Sequence, residues 1–321
     1  MVESSYEKGR QKLRVGIIGT GKIGTDLLMK VLRSEQMDCE LFVGRNLQSP
    51  GMQKAQQLGV RVSDLGIKAF EDDSHQCELV FDATGAEHHR EHAKVFAKKG
   101  IKAIDLTPAK MGPLCIPALN EQVILKESNV NMVTCGGQAS VPVCEAVKKA
   151  VPSLKSVSVH TLVSDDSIGQ ATLDNIDDYY ATTSKAINQF AGVDNVCIDL
   201  EVDEPGRQPT MCTTLNFSID ESEHMTALEA LEVREKELKR YVPGLSIETK
   251  LGGQHLLVKV TVSGMGDWIP AHAGNLDIIN CAAIAVAERY ALSLSEQKTS
   301  LFNKLFDPFT RIVGGRQLAN A

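Results

Sequence analysis

The sequence is poor in aromatic residues and lacks paired cysteines, an excess of positive charge and any long uninterrupted apolar run. Phe, Trp and Tyr make up 5% of its 321 residues, and no Cys-x-x-Cys pair occurs. A formal net charge of −7 argues against broad binding to nucleic acids or anionic membranes. Because no apolar run approaches the roughly 20 residues that span a bilayer, we expect no membrane partner.

Eight cysteines are scattered over the chain. An even number permits disulfides, but disulfide frameworks are typical of short secreted chains. Met1 to Lys12 is polar and charged, without the apolar core of a signal peptide. We therefore expect reduced thiols and a cytoplasmic protein.

The length and the order of the apolar segments predict two domains. Short apolar runs at Leu13–Ile18, 79–83, 101–106 and 131–134 read as buried strands, and amphipathic segments between them read as helices. This alternation predicts an α/β fold, a Rossmann-type doubly wound parallel sheet.

Beyond about residue 154 the predicted strands lengthen and alternate, at 156–163, 196–202 and 255–262, with helices at 175–190 and 221–241. This pattern predicts an α+β domain with a mostly antiparallel sheet. A helix at 274–292 is apolar on nearly every side, so it must be buried and is expected to return to the first domain. The predicted domains are 13–134 with 270–321, and 135–269.

A glycine-rich turn follows the first strand and opens the first helix. In that context Gly-x-Gly-x-x-Gly is a fingerprint of dinucleotide binding, because the glycines permit a tight turn, approach of a pyrophosphate and close helix packing. A turn that binds nothing is the alternative. The residues predicted to bind the cofactor here are Gly19, Thr20, Gly21, Lys22, Ile23 and Gly24.

The end of the second strand lacks the acidic residue that usually holds the ribose 2′-hydroxyl of NAD. The position reads Gly44-Arg45-Asn46, which offers a cation instead. We expect NAD as the cofactor, with Arg45 among the binding residues, and NADP stays open as an alternative.

Cys135 lies in Val133-Thr-Cys-Gly-Gly-Gln-Ala139, between a predicted strand and a predicted helix. Helix N–H groups and the positive end of the helix dipole favour a thiolate, so this position predicts a lowered pKa and a nucleophile. Gly136 and Gly137 leave room for a substrate carbonyl. The alternative is an inert, buried cysteine.

Three histidines stand near the start of a predicted helix. His88 and His92 share one face of it, which suggests a metal site. No third ligand is evident, so we predict a solvated helix start and no metal.

Five stretches of the chain carry a resemblance to one family: 19–27, 105–109, 129–139, 182–187 and 270–278. They resemble the acylating acetaldehyde dehydrogenases, the enzymes paired with 4-hydroxy-2-oxovalerate aldolases in aromatic-ring degradation. The resemblance implies a Rossmann-type domain interrupted by a catalytic and dimerisation domain, and hence a homodimer. It implies an aldolase partner and oxidation of a short aldehyde with NAD and coenzyme A, through a thioester on Cys135.

The same resemblance assigns further site residues. Ser167 and Gly169 would line the nicotinamide site, Asn175 would lie near the reacting carbonyl, and Asn275 would hold the nicotinamide end. His272 is a candidate general base, or else a loop histidine bonded locally.

Two departures keep other functions open. Leu173 and Thr213 stand where the family has an arginine and an aspartate. A semialdehyde or acyl-phosphate reductase is a second reading, which would need phosphate-binding arginines in the middle domain. A catalytically weak nucleotide-binding partner of another enzyme is a third.

Overall fold

The computed structural model describes residues 12–306, and its first layer is a six-stranded parallel sheet. The strand order is β3-β2-β1-β4-β5-β6, and every pairing in it is parallel. This is the strand order of the dinucleotide-binding fold, whose ligands bind beyond the carboxyl ends of the strands. The strands are β1 (Leu13–Ile18), β2 (Met37–Val43), β3 (Val62–Ser63), β4 (Leu79–Asp82), β5 (Lys102–Asp105) and β6 (Asn129–Asn131).

Helices cover this sheet because each carries one apolar face. In α1 that face is formed by Leu27, Leu28 and Val31, all fully buried. The helix α3 ends at Gly100 with φ +69°, the left-handed cap that its sequence predicts. The helices are α1 (Lys22–Arg33), α2 (Pro50–Gln57), α3 (Ala86–Lys99), α4 (Pro117–Asn120) and α5 (Val123–Lys126).

The second layer system is a five-stranded sheet in the order β10-β11-β9-β7-β8. Only β7 and β8 run parallel; the other three pairings are antiparallel, as predicted. One face packs on helices, and no element within residues 12–306 covers the other. The elements are α6 (Cys135–Ala150), β7 (Ser156–Val163), α7 (Gln170–Leu173), α8 (Ile176–Ala191), β8 (Asn195–Val202), β9 (Met211–Ser218), α9 (His224–Lys239), β10 (Leu245–Gly252) and β11 (His255–Val262).

The last helix, α10 (Gly274–Phe306), connects the two cores. Ile279 and Val286 join the core of the parallel sheet, whereas Ile278 and Cys281 join that of the second sheet. The return of this helix agrees with the expectation, and the domain boundaries themselves stay a prediction. Residues 307–321, assigned to the first domain, lie outside the described part.

Length and mean hydropathy alone would allow Gly274–Gln297 to cross a membrane, although charged residues such as Asp277 and Glu288 interrupt its apolar run. More than half of its most apolar stretch, 56%, is buried inside the fold. The core helix of a globular domain has the same composition, and burial on several sides accounts for it here.

A buried ionic network ties α1 to α10. The Lys30 ammonium lies 2.9 Å from Asp26, 2.7 Å from Asp277 and 3.1 Å from Asp267. Burial lowers the pKa of Lys30, but Cys281, Asp26 and Asp277 outweigh it and hold the pKa well above its ordinary value. The ammonium is therefore charged and locks the returning helix against the first domain.

Candidate active site

The glycine-rich turn has the shape that a pyrophosphate requires. Gly19 adopts φ +105°, and a Cβ there would lie 2.5 Å from the carbonyl oxygen of Ala83. A Cβ on Gly24 would lie 1.7 Å from the carbonyl oxygen of Gly19, so only glycine lets the helix approach the strand. Gly21 instead faces open space and caps α1 without a side-chain hydrogen bond. The residues therefore fit a dinucleotide, with helix N–H groups left for its phosphates.

Arg45 follows the end of β2, at the same edge of the sheet. Its side chain is exposed and makes no hydrogen bond or ion pair with any described residue. Thr20 and Ser49 approach each other nearby, with 3.4 Å between their hydroxyl oxygens. This edge thus presents a cation and hydroxyl groups beside the glycine turn.

The segment after β7 brings several predicted residues together. The Asn275 amide donates to the backbone oxygen of Ser167 at 2.8 Å, while its Oδ1 is buried without a partner among the described residues. The Lys22 ammonium donates to the backbone oxygen of Asp166, which joins the glycine turn to this segment. Gly169 is exposed at its end. An unpartnered buried acceptor beside Ser167 fits the amide of a nicotinamide.

His272 is half-buried and faces Asp166. Its Nε2 lies 2.9 and 3.2 Å from the two carboxylate oxygens. Hydrogen bonds from Ser164 and His272 lower the pKa of Asp166. The pairing orients the imidazole ring, but no hydrogen bond between His272 and Cys135 occurs in residues 12–306, so the role of general base stays a prediction.

Asn175 caps α8 at its N-terminus. Its backbone oxygen accepts from the N–H groups of Asp178 at 3.0 Å and Tyr179 at 3.3 Å. Asp177 and Asp178 occupy the first turn of this helix, where negative charge is favoured. Asp178 also pairs with Lys110 of the loop after β5, at 2.6 Å. Asp177 and Asp178 thus stabilise the start of α8 and its contact with the loop after β5.

The turn that carries Cys135 is strained and firmly held. Val133 adopts φ +63°, a conformation that β-branched residues rarely take. Its N–H donates to Oδ1 of Asn131 at 2.9 Å. Thr134 caps α6 by accepting from the N–H of Gly137 at 2.9 Å. Cys135 is therefore the first residue of α6, at the carboxyl edge of the sheet, as the sequence predicts.

Burial dominates the electrostatics of the thiol. It raises the pKa of Cys135 to about 11, and the N–H of Gly136 and the hydroxyl of Tyr179 offset it only in part. The expectation of a lowered pKa for Cys135 is therefore wrong, because the cost of removing the thiolate from water outweighs its stabilisation by the helix dipole. The side chain is nevertheless only half-buried, unlike Cys144 in the same helix.

A buried cluster near the turn of Cys135, formed by Asp82, His89 and His92, was not predicted from the sequence. His89 and His92 place their Nδ1 atoms 2.9 and 2.7 Å from Oδ2 of Asp82. Burial opposes ionisation of Asp82, but hydrogen bonds from both rings and from Thr84 hold its pKa well below the usual range. The predicted solvated helix start is therefore wrong for these two histidines, although His88 is exposed. Their spacing after a strand that ends in aspartate was the available signal.

The cluster extends to the turn of Cys135. His89 Nε2 lies 2.8 Å from the amide nitrogen of Asn129. The Asn131 amide donates to Asp105 at 3.0 Å, and the other atom of that amide fixes Val133. Hydrogen bonds through Asn131 thus stabilise the strained backbone of Val133. Among the residues with described side chains, no group of three or more His, Cys, Asp or Glu could hold a metal ion.

Comparison with known proteins places the chain in a family. The family described as prokaryotic acetaldehyde dehydrogenase, dimerisation, matches residues 135–270, and the semialdehyde dehydrogenase NAD-binding domain matches residues 14–127. An acetaldehyde dehydrogenase of Pectobacterium atrosepticum is 46% identical over 87% of this chain and 95% of the relative. The chain belongs to the acetaldehyde dehydrogenase family. One from Spirochaeta aurantia is 43% identical over 89% of this chain and 97% of its own length.

Solved structures confirm the predicted fold class. Aspartate semialdehyde dehydrogenase II of Vibrio cholerae superposes with a TM-score of 0.60 at 16% identity, covering 88% of this chain and 99% of that one. The enzyme of Candida albicans, solved with NADP, gives 0.60 at 12% identity, covering 89% and 99%. At these identities the likeness shows the fold alone. With the family established, the expectation of an NAD-dependent oxidoreductase with a dimerisation domain is confirmed.

Proposed function

We propose that the chain is a CoA-acylating aldehyde dehydrogenase that interconverts a short aldehyde and its acyl-CoA through a thioester on Cys135. One observation carries this proposal. A half-buried thiol sits on a strained strand–helix turn, at the sheet edge that also holds an open glycine turn. A nucleophile and a dinucleotide at one edge are the two parts that aldehyde oxidation needs.

The chemistry follows from these residues. The Cys135 sulfur adds to the aldehyde carbon, and the carbonyl oxygen takes up the resulting charge near the N–H of Gly136. The glycine turn and Asn275 would hold NAD or NADP, which would supply the hydride acceptor, and loss of hydride from this carbon would leave a thioester. The sulfur of coenzyme A then attacks the thioester carbonyl, which releases acyl-CoA and the Cys135 thiolate. Two thiol protons are lost, one from Cys135 and one from coenzyme A. One proton returns to the Cys135 thiolate, and the other is the single proton that the net reaction releases.

The remaining site residues have distinct proposed roles. Asn275 would accept a hydrogen bond from the nicotinamide amide through its buried Oδ1. Ser167 and Gly169 would line the same site, and Asn175 would lie near the reacting carbonyl. His272, oriented by Asp166, would move the proton that the addition and transfer steps release.

One assay separates the three candidate functions. The protein is mixed with short aldehydes, NAD or NADP, and either coenzyme A or phosphate, and reduced nicotinamide is followed by absorbance. Turnover that depends on coenzyme A supports the proposal. Turnover with phosphate supports the acyl-phosphate reductase, and nucleotide binding without turnover supports a non-catalytic partner.

The phosphate-dependent alternative lacks support in the middle domain. Arg207, Arg234 and Arg240 are the arginines between Gly136 and Gly266. Arg234 is buried against Glu145 at 2.5 Å, and Arg207 pairs loosely with Asp203 and Glu204 on the surface. These contacts engage Arg234 with a buried carboxylate and Arg207 with surface carboxylates.

Cofactor preference should respond to Arg45. The variant Arg45→Asp is expected to weaken NADPH binding about tenfold and to improve NADH binding, because a charge-assisted bond to the 2′-phosphate is lost. Fluorescence titration of each reduced cofactor measures this without turnover. Arg61→Asp is the matched control, since Arg61 is an exposed arginine beside the same strand, β2, and its guanidinium already pairs with Glu40 at 3.2 Å. Equal loss in both variants would refute a role for Arg45.

The assembly is proposed from the dimerisation match. The uncovered face of the five-stranded sheet carries a shallow groove lined by Ser158, Cys197, Asn216 and His255. We place the second copy of the chain on this face, and light scattering of the native protein tests for the dimer. The resemblance also supports an aldolase partner, a role in aromatic degradation and domain boundaries at 134/135 and 269/270. A cytoplasmic location is proposed from the scattered, unpaired cysteines.

A further inference from the structure

Tyr179 is a buried residue with an unused hydroxyl group directly beside the proposed nucleophile. Its side chain lies on α8, which packs against α6, and the residue is 5% exposed. Among the described residues the hydroxyl oxygen makes no well-formed hydrogen bond, although Thr161 and Cys135 lie within reach of it. A Cβ built on Gly136 would lie 2.0 Å from that oxygen. The hydroxyl therefore occupies the space next to the residue that follows Cys135.

The rest of this pocket is uncharged. Thr161 places its hydroxyl oxygen 3.1 Å from the same built Cβ, and it is 3.0 Å from the hydroxyl oxygen of Thr213. Both threonines are fully buried. Burial raises the pKa of Cys135. The N–H of Gly136, the hydroxyl of Tyr179 and the backbone of Cys135 itself lower it. Among the described residues no carboxylate or ammonium affects the pKa of Cys135, and Tyr179 is the one polar side chain that does.

We propose that Tyr179 is a catalytic residue whose phenolic O–H donates a hydrogen bond to the Cys135 thiolate and sets its reactivity. Burial keeps the phenol protonated, because a buried tyrosinate would lose its water, so the group is always a donor near neutral pH. A hydrogen bond to an anion is charge-assisted and favours the thiolate over the thiol. The position of Gly136 then has a second reason, since any side chain there would displace the phenol.

The variant Tyr179→Phe removes the donor and keeps the ring. Losing one charge-assisted bond is expected to raise the pKa of Cys135 by about 1 to 2 units. The thiolate fraction falls accordingly, but the remaining thiolate is more nucleophilic. The net result at pH 8 is alkylation of Cys135 by iodoacetamide that is about 3- to 10-fold slower, with the pH–rate profile displaced to higher pH.

The experiment uses the full chain and follows the Cys135 peptide by mass spectrometry between pH 7 and 9.5. Tyr180→Phe is the matched control, because Tyr180 is the next residue of the same helix, with its ring 6.0 Å from that of Tyr179. An unchanged alkylation profile in Tyr179→Phe, or the same slowing in both variants, would overturn the proposal.

A second measurement covers the case in which Tyr179→Phe fails to fold, as judged by the loss of its near-ultraviolet circular dichroism. Replacing Tyr179 with 3-fluorotyrosine keeps the shape and makes the O–H a stronger donor, so faster alkylation of Cys135 is expected; slower or unchanged alkylation contradicts the proposal. This inference builds on Cys135 as the nucleophile of the proposed function. Alkylation needs no substrate, so failure of the aldehyde assay and failure of this inference are distinguishable.

Discussion

Replacing Cys135 with alanine is expected to lower kcat/KM for CoA-dependent aldehyde oxidation roughly 10⁴-fold or more, because the covalent route disappears with the sulfur. Binding of NAD(H) should be unchanged, since the glycine turn around Gly21 is held by backbone packing and not by the thiol. Initial rates of reduced nicotinamide formation measure the first quantity, and fluorescence titration measures the second.

The control for this variant is Cys39→Ala. Cys39 is a partly buried cysteine near the start of β2, at the end of the parallel sheet away from the glycine turn. Its replacement should leave kcat/KM within about twofold of the parent value. Comparable activity of Cys135→Ala and the parent protein would mean that the reaction does not pass through this sulfur.

Replacing Lys30 with methionine is expected to lower the free energy of unfolding by roughly 3–5 kcal/mol. The substitution keeps most of the side-chain volume but leaves Asp26 and Asp277 charged, buried and without their cation. Removing one partner of a buried ionic network costs far more than the network contributes over an apolar replacement. Urea unfolding followed by far-ultraviolet circular dichroism gives the value.

Arg33→Met is the matched control, one helical turn further along α1. The Arg33 guanidinium pairs with Asp267 at 2.7 Å, but half of its side chain is exposed. Exposed pairs contribute about 0–1 kcal/mol, so this variant should unfold close to the parent protein. If the two variants are equally stable, the Lys30 network does not hold α10 against the first domain.

The architecture was largely predictable because the apolar patterns of its strands and of its helices are both visible in the sequence. Residues 13–18 form a continuous apolar run that suits a strand buried on both faces, and the glycines that follow fit only a tight turn. The strand β9 escaped prediction because Thr213 faces the core and breaks its apolar alternation. The strand β10 escaped because its outer half is exposed and charged, as expected for an edge strand.

The site was predictable where residues adjacent in sequence act together, and not where folding brings distant ones together. Cys135 and its glycines form one local motif. Tyr179 reaches that motif only because α8 packs on α6, and no spacing in the sequence reports that contact. The direction in which the pKa of Cys135 shifts also depends on packing, since burial of the thiol outweighs the effect of the local helix dipole.

Mass spectrometry of the Cys135 peptide after incubation of the native protein with acetyl-CoA, without reduced cofactor, tests the covalent mechanism directly. We predict an acetyl thioester on Cys135 that disappears when free coenzyme A or NADH is added. A protein that turns over aldehyde while its acetyl group is found on another residue, or on none, would contradict the mechanism.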